Sequence, residues 1–219
     1  MPIPSVHLRR LGPVLVTLLV LMGAFIVTAP SAVALSSTVV ISQVFGGGGN
    51  SGAPYQNDFV ELFNRGSTAV SLDGWSIQYA SATGNGTFAS NPVTALSGTL
   101  HPGQYYLVQM ASGGGDGMSL PTPDAVGRVS MSWSGAKVIL VNTTSGLACN
   151  GGSVPCTPDH LDKIVDLVGW GDANFFEGTC GPETGRTTAV LRRVDGHRET
   201  DDNGADFSVE EPNPRNTAH

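Results

Sequence analysis

NDFVELFNRGSTAVSLDGWSIQY, residues 57–79, holds two runs of strand-forming side chains around a polar connection. Residues 58–63 are rich in aromatic and branched side chains, which suit an extended backbone. Arg65, Gly66, Ser67 and Thr68 interrupt them with turn chemistry, and Asp73-Gly74 marks a second turn. In residues 75–79 the large apolar side chains Trp75, Ile77 and Tyr79 alternate with Ser76 and Gln78. A period of two puts Trp75, Ile77 and Tyr79 on one face of a strand. The expectation is a half-buried β ribbon with its aromatic side turned inward.

Outward from this stretch the same grammar repeats. TVVISQVF, residues 38–45, is a branched strand followed at once by Gly46-Gly47-Gly48-Gly49-Asn50-Ser51-Gly52. Gly47, Gly49 and Gly52 formally fit a dinucleotide-binding G-x-G-x-x-G, but that motif must open a helix whose N-terminus meets a pyrophosphate. Ala53-Pro54-Tyr55 and another strand follow instead, so the stretch reads as a flexible connecting loop. Further strands are expected over 93–100, 105–110, 126–133, 137–142, 164–170 and 189–194. His101-Pro102-Gly103 punctuates the first two. With 29 glycines, 14 prolines and 13% charged residues in 219, and no helical period, the composition favours an all-β sandwich or barrel. No internal repeat or long linker divides it. One domain is expected over 35–219, its tail frayed after Asn213-Pro214.

The first 34 residues stand apart. His7, Arg9 and Arg10 form a basic start, 11–27 is apolar, and Ala32-Val33-Ala34 is a small-residue cleavage pattern. These are the three parts of a secretory signal peptide. The rival reading, an uncleaved anchor, rests on an apolar run at the lower limit for spanning a bilayer. Removing 1–34 with Arg9 and Arg10 takes the formal charge from −7 to −9, which opposes general attraction to phosphate backbones. Arg186, Arg192, Arg193 and Arg198 are the one basic cluster the sequence offers.

Export implies an oxidising environment for the three cysteines. Cys149 and Cys156 bound CNGGSVPC, whose glycines and proline suit a tight bridged turn, and a disulfide is expected there. Cys180 is then the odd thiol. No CxxC occurs and no histidine stands at zinc-ligand spacing from these cysteines.

The blocks VVISQVFGGGGNSG, NDFVELFNRGSTAVSLDGWSIQY, GTLHPGQYYLVQ, AKVILVN, IVDLVGWGDANFFEG and TDDNGADFSVEEPNPRN occur in that order. Together they resemble the lamin tail domain in its secreted bacterial form. The resemblance implies an immunoglobulin-like β-sandwich and a non-catalytic module, often attached to secreted or membrane-bound hydrolases and nucleases. It also implies a role in tethering and partner binding. Secreted bacterial members often carry a cysteine shortly before the acidic segment, where this chain has Gly196-His197-Arg198. That departure removes a family partner for Cys180.

Several residues invite a chemical reading. Glu199, Asp201, Asn203 and Glu210, with Gly204, nearly match the calcium loop D-x-[DN]-x-[DN]-G-x5-E, with glutamate at the first position. The structural alternative is that Asp201, Asp202 and Asn203 make Asx turns. Serine-nucleophile chemistry lacks a G-x-S-x-G elbow, and His101, His160 and His219 read as surface histidines. Asp58 and Glu61 point to opposite strand faces. Glu61 shares a face with Phe59 and Phe63, so if buried it needs a cation, for which Arg192 or Arg193 would serve. Trp133, Trp170, Phe175 and Phe176 are core or stacking candidates, and Phe175-Phe176 offers the best exposed patch.

The function expected is a secreted, non-enzymatic module binding a cell-surface or extracellular partner. Its contact loops are expected around Gly47 and Asn50 and around Asn174, Phe175 and Phe176. The alternative is an accessory nucleic-acid-binding domain that works with an extracellular nuclease or other hydrolase through the four arginines. No cofactor other than calcium at the acidic loop is expected.

Overall fold

The computed structural model describes Met1 and residues 38–219; the expected signal peptide, Met1 apart, lies outside the described residues. Twelve strands are described: β1 (Val39–Phe45), β2 (Phe59–Asn64), β3 (Val70–Ser71), β4 (Ser76–Ser81), β5 (Thr94–Ala95), β6 (Thr99–Leu100), β7 (Tyr105–Gln109), β8 (Ala125–Val126), β9 (Ala136–Val141), β10 (Ile164–Trp170), β11 (Ala189–Arg192) and β12 (Phe207–Glu210). Two single-turn helices, α1 (Pro158–Leu161) and α2 (Asn203–Asp206), and a 3-10 turn at Phe88–Ser90 complete the elements. One sheet has the order β12-β11-β1-β2-β7-β8, a second β10-β9-β4-β5, and β3 pairs with β6 alone. All pairings are antiparallel except β7 with β8.

The two larger sheets face each other across one core. Val39, Ile41, Val60, Leu62, Tyr106, Val108 and Val190 come from the first, and Ile77, Tyr79, Val138, Leu140, Val168 and Trp170 from the second. Trp75 packs against this cluster and Ile77 and Tyr79 belong to it, as the alternation requires. β1 changes phase along its length. Ile41 faces Leu62 and Gln43 faces Glu61, so Ser42 is an inserted bulge residue that turns Val44 back to the core.

Four expectations are corrected. First, residues 58–63 and 75–79 do not form a ribbon. β2 and β4 lie in different sheets, and their connection crosses the sandwich through β3 and the buried Leu72. Second, Ser76 and Gln78 are buried, because residues 143–147 cover that face and accept or donate their hydrogen bonds. Third, the strand expected over 93–100 breaks at Gly98, whose φ of 89° reverses the chain, so that β5 joins β4 and β6 joins β3. The strand expected over 126–133 pairs only at β8, while β12 was not anticipated.

Fourth, the tail is not frayed. Pro212 and Pro214 are buried, and Gln43 exchanges two hydrogen bonds with the Asn213 backbone. Thr217 donates to Asp124, and Arg215 meets Glu61 in an ion pair of 2.9 Å. The cation that satisfies Glu61 is therefore Arg215, not Arg192 or Arg193. A two-residue period assigns the face of Glu61 correctly, but cannot show which distant segment closes it.

Candidate functional site

Three loops meet beside the edge where β9 begins and β10 ends. Register pairs Trp170 with Ala136, which brings residues 131–135 next to Gly171 and Asp172. Gly181 then bridges to Trp170 in parallel and delivers 181–186 to the same place. The approach is close: a Cβ on Gly171, at φ 68°, would stand 2.4 Å from the Ser134 carbonyl oxygen. Only glycine tolerates both that backbone angle and that contact. The result is an open cleft of about 360 Å³ lined by Ser134, Gly171, Asp172 and Glu183.

Trp133 stands beside the cleft, 37% exposed, with the Arg186 guanidinium 5.5 Å from its ring centroid. Thr184 donates from Oγ1 to the Trp133 carbonyl and fixes the loop. From below, the Met131 N–H donates to Asp58 and the Ser132 N–H to the Tyr79 hydroxyl. Asp58 also accepts from the Gly48 N–H, so one carboxylate ties two loops together. Burial lifts the Asp58 carboxyl to about 7 against the pull of these two donors. An indole face, a guanidinium, two exposed carboxylates and a serine hydroxyl can together grip a polar or cationic side chain.

The glycine loop forms the wall behind this site and contributes little contact surface. Gly46–Gly49 are buried, and a Cβ on Gly46 would meet the Ser132 carbonyl oxygen at 2.2 Å and one on Gly47 the Arg186 carbonyl oxygen at 2.3 Å. Asn50 is half-buried and donates back to the Gly47 carbonyl. The expectation of a flexible contact loop at Gly47 and Asn50 is thus corrected: glycine is there for close backbone packing. Asn174 accepts from the Lys137 ammonium at 2.7 Å, Phe175 packs on a core cluster, and Phe176 alone of the pair is well exposed, at 36%.

The four arginines form no patch. Arg192 is buried; its guanidinium donates to Asp166 at 3.0 Å and to Glu199. Arg198 pairs with Asp206 at 3.3 Å, Arg186 covers Trp133, and Arg193 is exposed. Alternation along β11 sets Arg192 on the inward face with Val190, which reading the arginines as one basic run overlooks.

The calcium-loop residues do not converge either. Asn203 is buried and spends its side chain on Gly169 N, Glu177 and the Leu167 carbonyl. Glu210 lies on β12 opposite Ala189, with its Oε1 accepting from Ser208. Asp202 caps α2 through Ala205 N, and its hydrogen bond from Thr179 holds its carboxyl below the usual range. Asx capping is what this segment does. Cys149 and Cys156 are joined, and His160 lies within 4.8 Å of both sulfurs. A disulfide offers no thiolate, so that proximity makes no zinc site. Cys180 is free and half-buried, its Sγ against the carbonyls of Gly169, Gly171 and Ala173; burial pushes its thiol up. Sequence reasoning offers Trp133 as a core or stacking candidate and does not single out Ser134, Asp172 or Glu183. Gly135 and Gly171, flanking strand runs, were the available signal.

Among the described residues, no helix is long and apolar enough to cross a membrane. The Lamin Tail Domain family model matches residues 32–172. A DUF4876 family protein from Bacteroides thetaiotaomicron VPI-5482 is similar in structure at 12% identity, with a TM-score of 0.49, over 79% of this chain and 71% of its own. No curated protein matches the sequence.

Proposed function

The chain belongs to the lamin tail domain family, and from that premise we propose that it works outside the cell as a non-catalytic β-sandwich that binds a protein partner. The observation that carries this reading is the half-exposed Trp133, stacked by Arg186 and set beside the cleft of Ser134, Asp172 and Glu183. Tryptophan and arginine are the side chains most often found at the energetic centre of interfaces. Asp172 and Glu183 add a complement for a lysine or arginine of the partner. The disulfide and the basic, apolar, small-residue order of residues 1–34 support secretion.

The nucleic-acid alternative draws no support from the dispersed arginines. A side-by-side capture experiment tests the main reading. Native protein and W133A are offered to envelope and medium fractions of the producing cells. A partner held by native protein and lost by W133A supports the site. Equal capture by both moves the interface elsewhere. Capture of no protein, together with a DNA gel shift at low salt, replaces the reading by the nucleic-acid one.

A further inference from the structure

Around Arg192 the fold gathers more negative charge than its cations balance. β10 supplies Asp166, the loop after β10 supplies Glu177, the segment before α2 supplies Glu199, and α2 supplies Asp206. Arg192 serves Asp166 and Glu199 directly and stands 3.7 Å from Asp206, which Arg198 also pairs. Four carboxylates thus share two guanidiniums. Glu177 has neither. Its Oε2 accepts from Asn203 Nδ2 at 3.0 Å, while its Oε1 has no hydrogen-bond partner, and the residue is 6% exposed.

Leaving a carboxylate oxygen buried and unpaired costs several kcal/mol, so a group in this position is neutralised by a proton or by a cation.

One oxygen from each of Asp166, Glu177 and Glu199 lies within 4.8 Å of the others. Oxygens no farther apart than that can all reach one calcium-sized ion through bonds of about 2.4 Å. We propose that Asp166, Glu177 and Glu199 form a binding site for a divalent, calcium-type cation. The ligands are all hard oxygens, and a double positive charge cancels the excess of two carboxylates over guanidiniums. Asn203 is a positioning residue here, holding Glu177 and the backbone of Leu167 and Gly169 in place. Bound there, the ion joins β10, the loop after it and the segment leading to α2.

The test is calorimetry and thermal melting of the EDTA-stripped full chain titrated with calcium chloride. Native protein is expected to bind one ion and to melt roughly 5–10 °C higher at about a hundred times Kd. E177Q is expected to lose both effects, and E210Q to keep them. No response of native protein at about 10 mM calcium, tenfold above the weakest extracellular modules at ~1 mM, overturns the site and leaves Glu177 carrying a proton. Equal binding by E177Q, or loss with E210Q, also overturns it. Should E177Q not fold, native crystals soaked in terbium decide: an anomalous peak among the three carboxylates supports the site, and a peak only elsewhere or none overturns it.

Discussion

The outer faces of the two sheets are both buried, and they are closed by opposite means. On the six-stranded sheet Phe45, Phe59 and Leu107 lie under Tyr55 and Leu120, and Val40, Phe63 and Tyr105 form a second cluster. Glu61 sits in this face, and the C-terminal tail closes it with Arg215, 154 positions away. On the four-stranded sheet Ala80, Ile139, Val141 and Leu167 lie under Phe88, Leu147 and the loop bridged by Cys149 and Cys156. Its buried charge is Lys137, whose ammonium donates to the Asn150 carbonyl at 2.9 Å and to Asn174 at 2.7 Å. One face pairs its charge with an opposite charge and holds its cover without a covalent bond. The other gives its charge neutral acceptors and staples the cover in place. Burial draws the Lys137 amine below the usual range, because carbonyl acceptors do not replace water for a full charge.

This contrast sets the largest expected effect. R215A removes the only cation paired with Glu61 among the described residues, along with the guanidinium stacked 3.6 Å from the Tyr105 ring centroid. A buried ion pair broken from one side costs about 3–5 kcal/mol, since the remaining charge stays desolvated. Guanidinium denaturation of R215A is expected to show that loss, and hydrogen exchange to show the 211–219 backbone opening with it. A loss under about 1 kcal/mol would mean that the tail is held by Gln43 and Asp124 alone, and the contrast between the faces would fail.

The staple comes next. The bridge closes a short loop, with a sequence separation of 7, worth about 2–3 kcal/mol on the chain-entropy account. The double variant C149A/C156A is expected to lose about that much. Its exchange rates should rise at Asn150 and Val154 while those of Asn213 and Arg215 stay as they were. A rise at both faces would show one cooperative cover in place of two independent ones.

The same contrast explains what was legible in the sequence. The inward face of β4 followed from Trp75, Ile77 and Tyr79, because a period of two is a local property. The disulfide followed from a short glycine-rich loop between two cysteines. Glu61 announced that it needed a partner, yet Arg215 was hidden in a tail rich in proline and asparagine, which reads as disorder until the face beneath it is known. Double burial was hidden for the same reason: Ser76 and Gln78 are polar, and polar side chains on a strand read as solvent-facing unless a covering loop can be foreseen. The cleft was less visible still. Trp133, Asp172 and Glu183 come from three separate loops, and nothing local records that β9 and β10 pair so as to bring those loops together. Arg192 and Glu199 fell into a basic run and an acidic run. The fold places them in the same buried network.

The smallest effect lies in the turn that helps the tail close the six-stranded sheet. Val194, Asp195 and Gly196 stand in a row at positive φ, 56°, 51° and 90°, a left-handed turn that demands residues tolerant of that region. Asn-Gly meets that demand; valine, branched at Cβ, is strained there by about 1–2 kcal/mol. The strain is tolerated because the turn presents useful groups. The Asp195 carbonyl accepts from the Tyr105 hydroxyl, and Gly196 lies against the Phe63 ring, where a Cβ would stand 2.9 Å from the nearest ring carbon. Val194 itself is 69% exposed, so its side chain returns little by burial. V194N is therefore expected to stabilise the protein by about 1 kcal/mol, raising Tm by roughly 2–4 °C. In R215A the same substitution should add the same increment if turn and tail act separately. A gain that disappears in R215A would show that the turn is held in its strained shape by the arginine, making the non-covalent cover a single unit from Asp195 to Thr217.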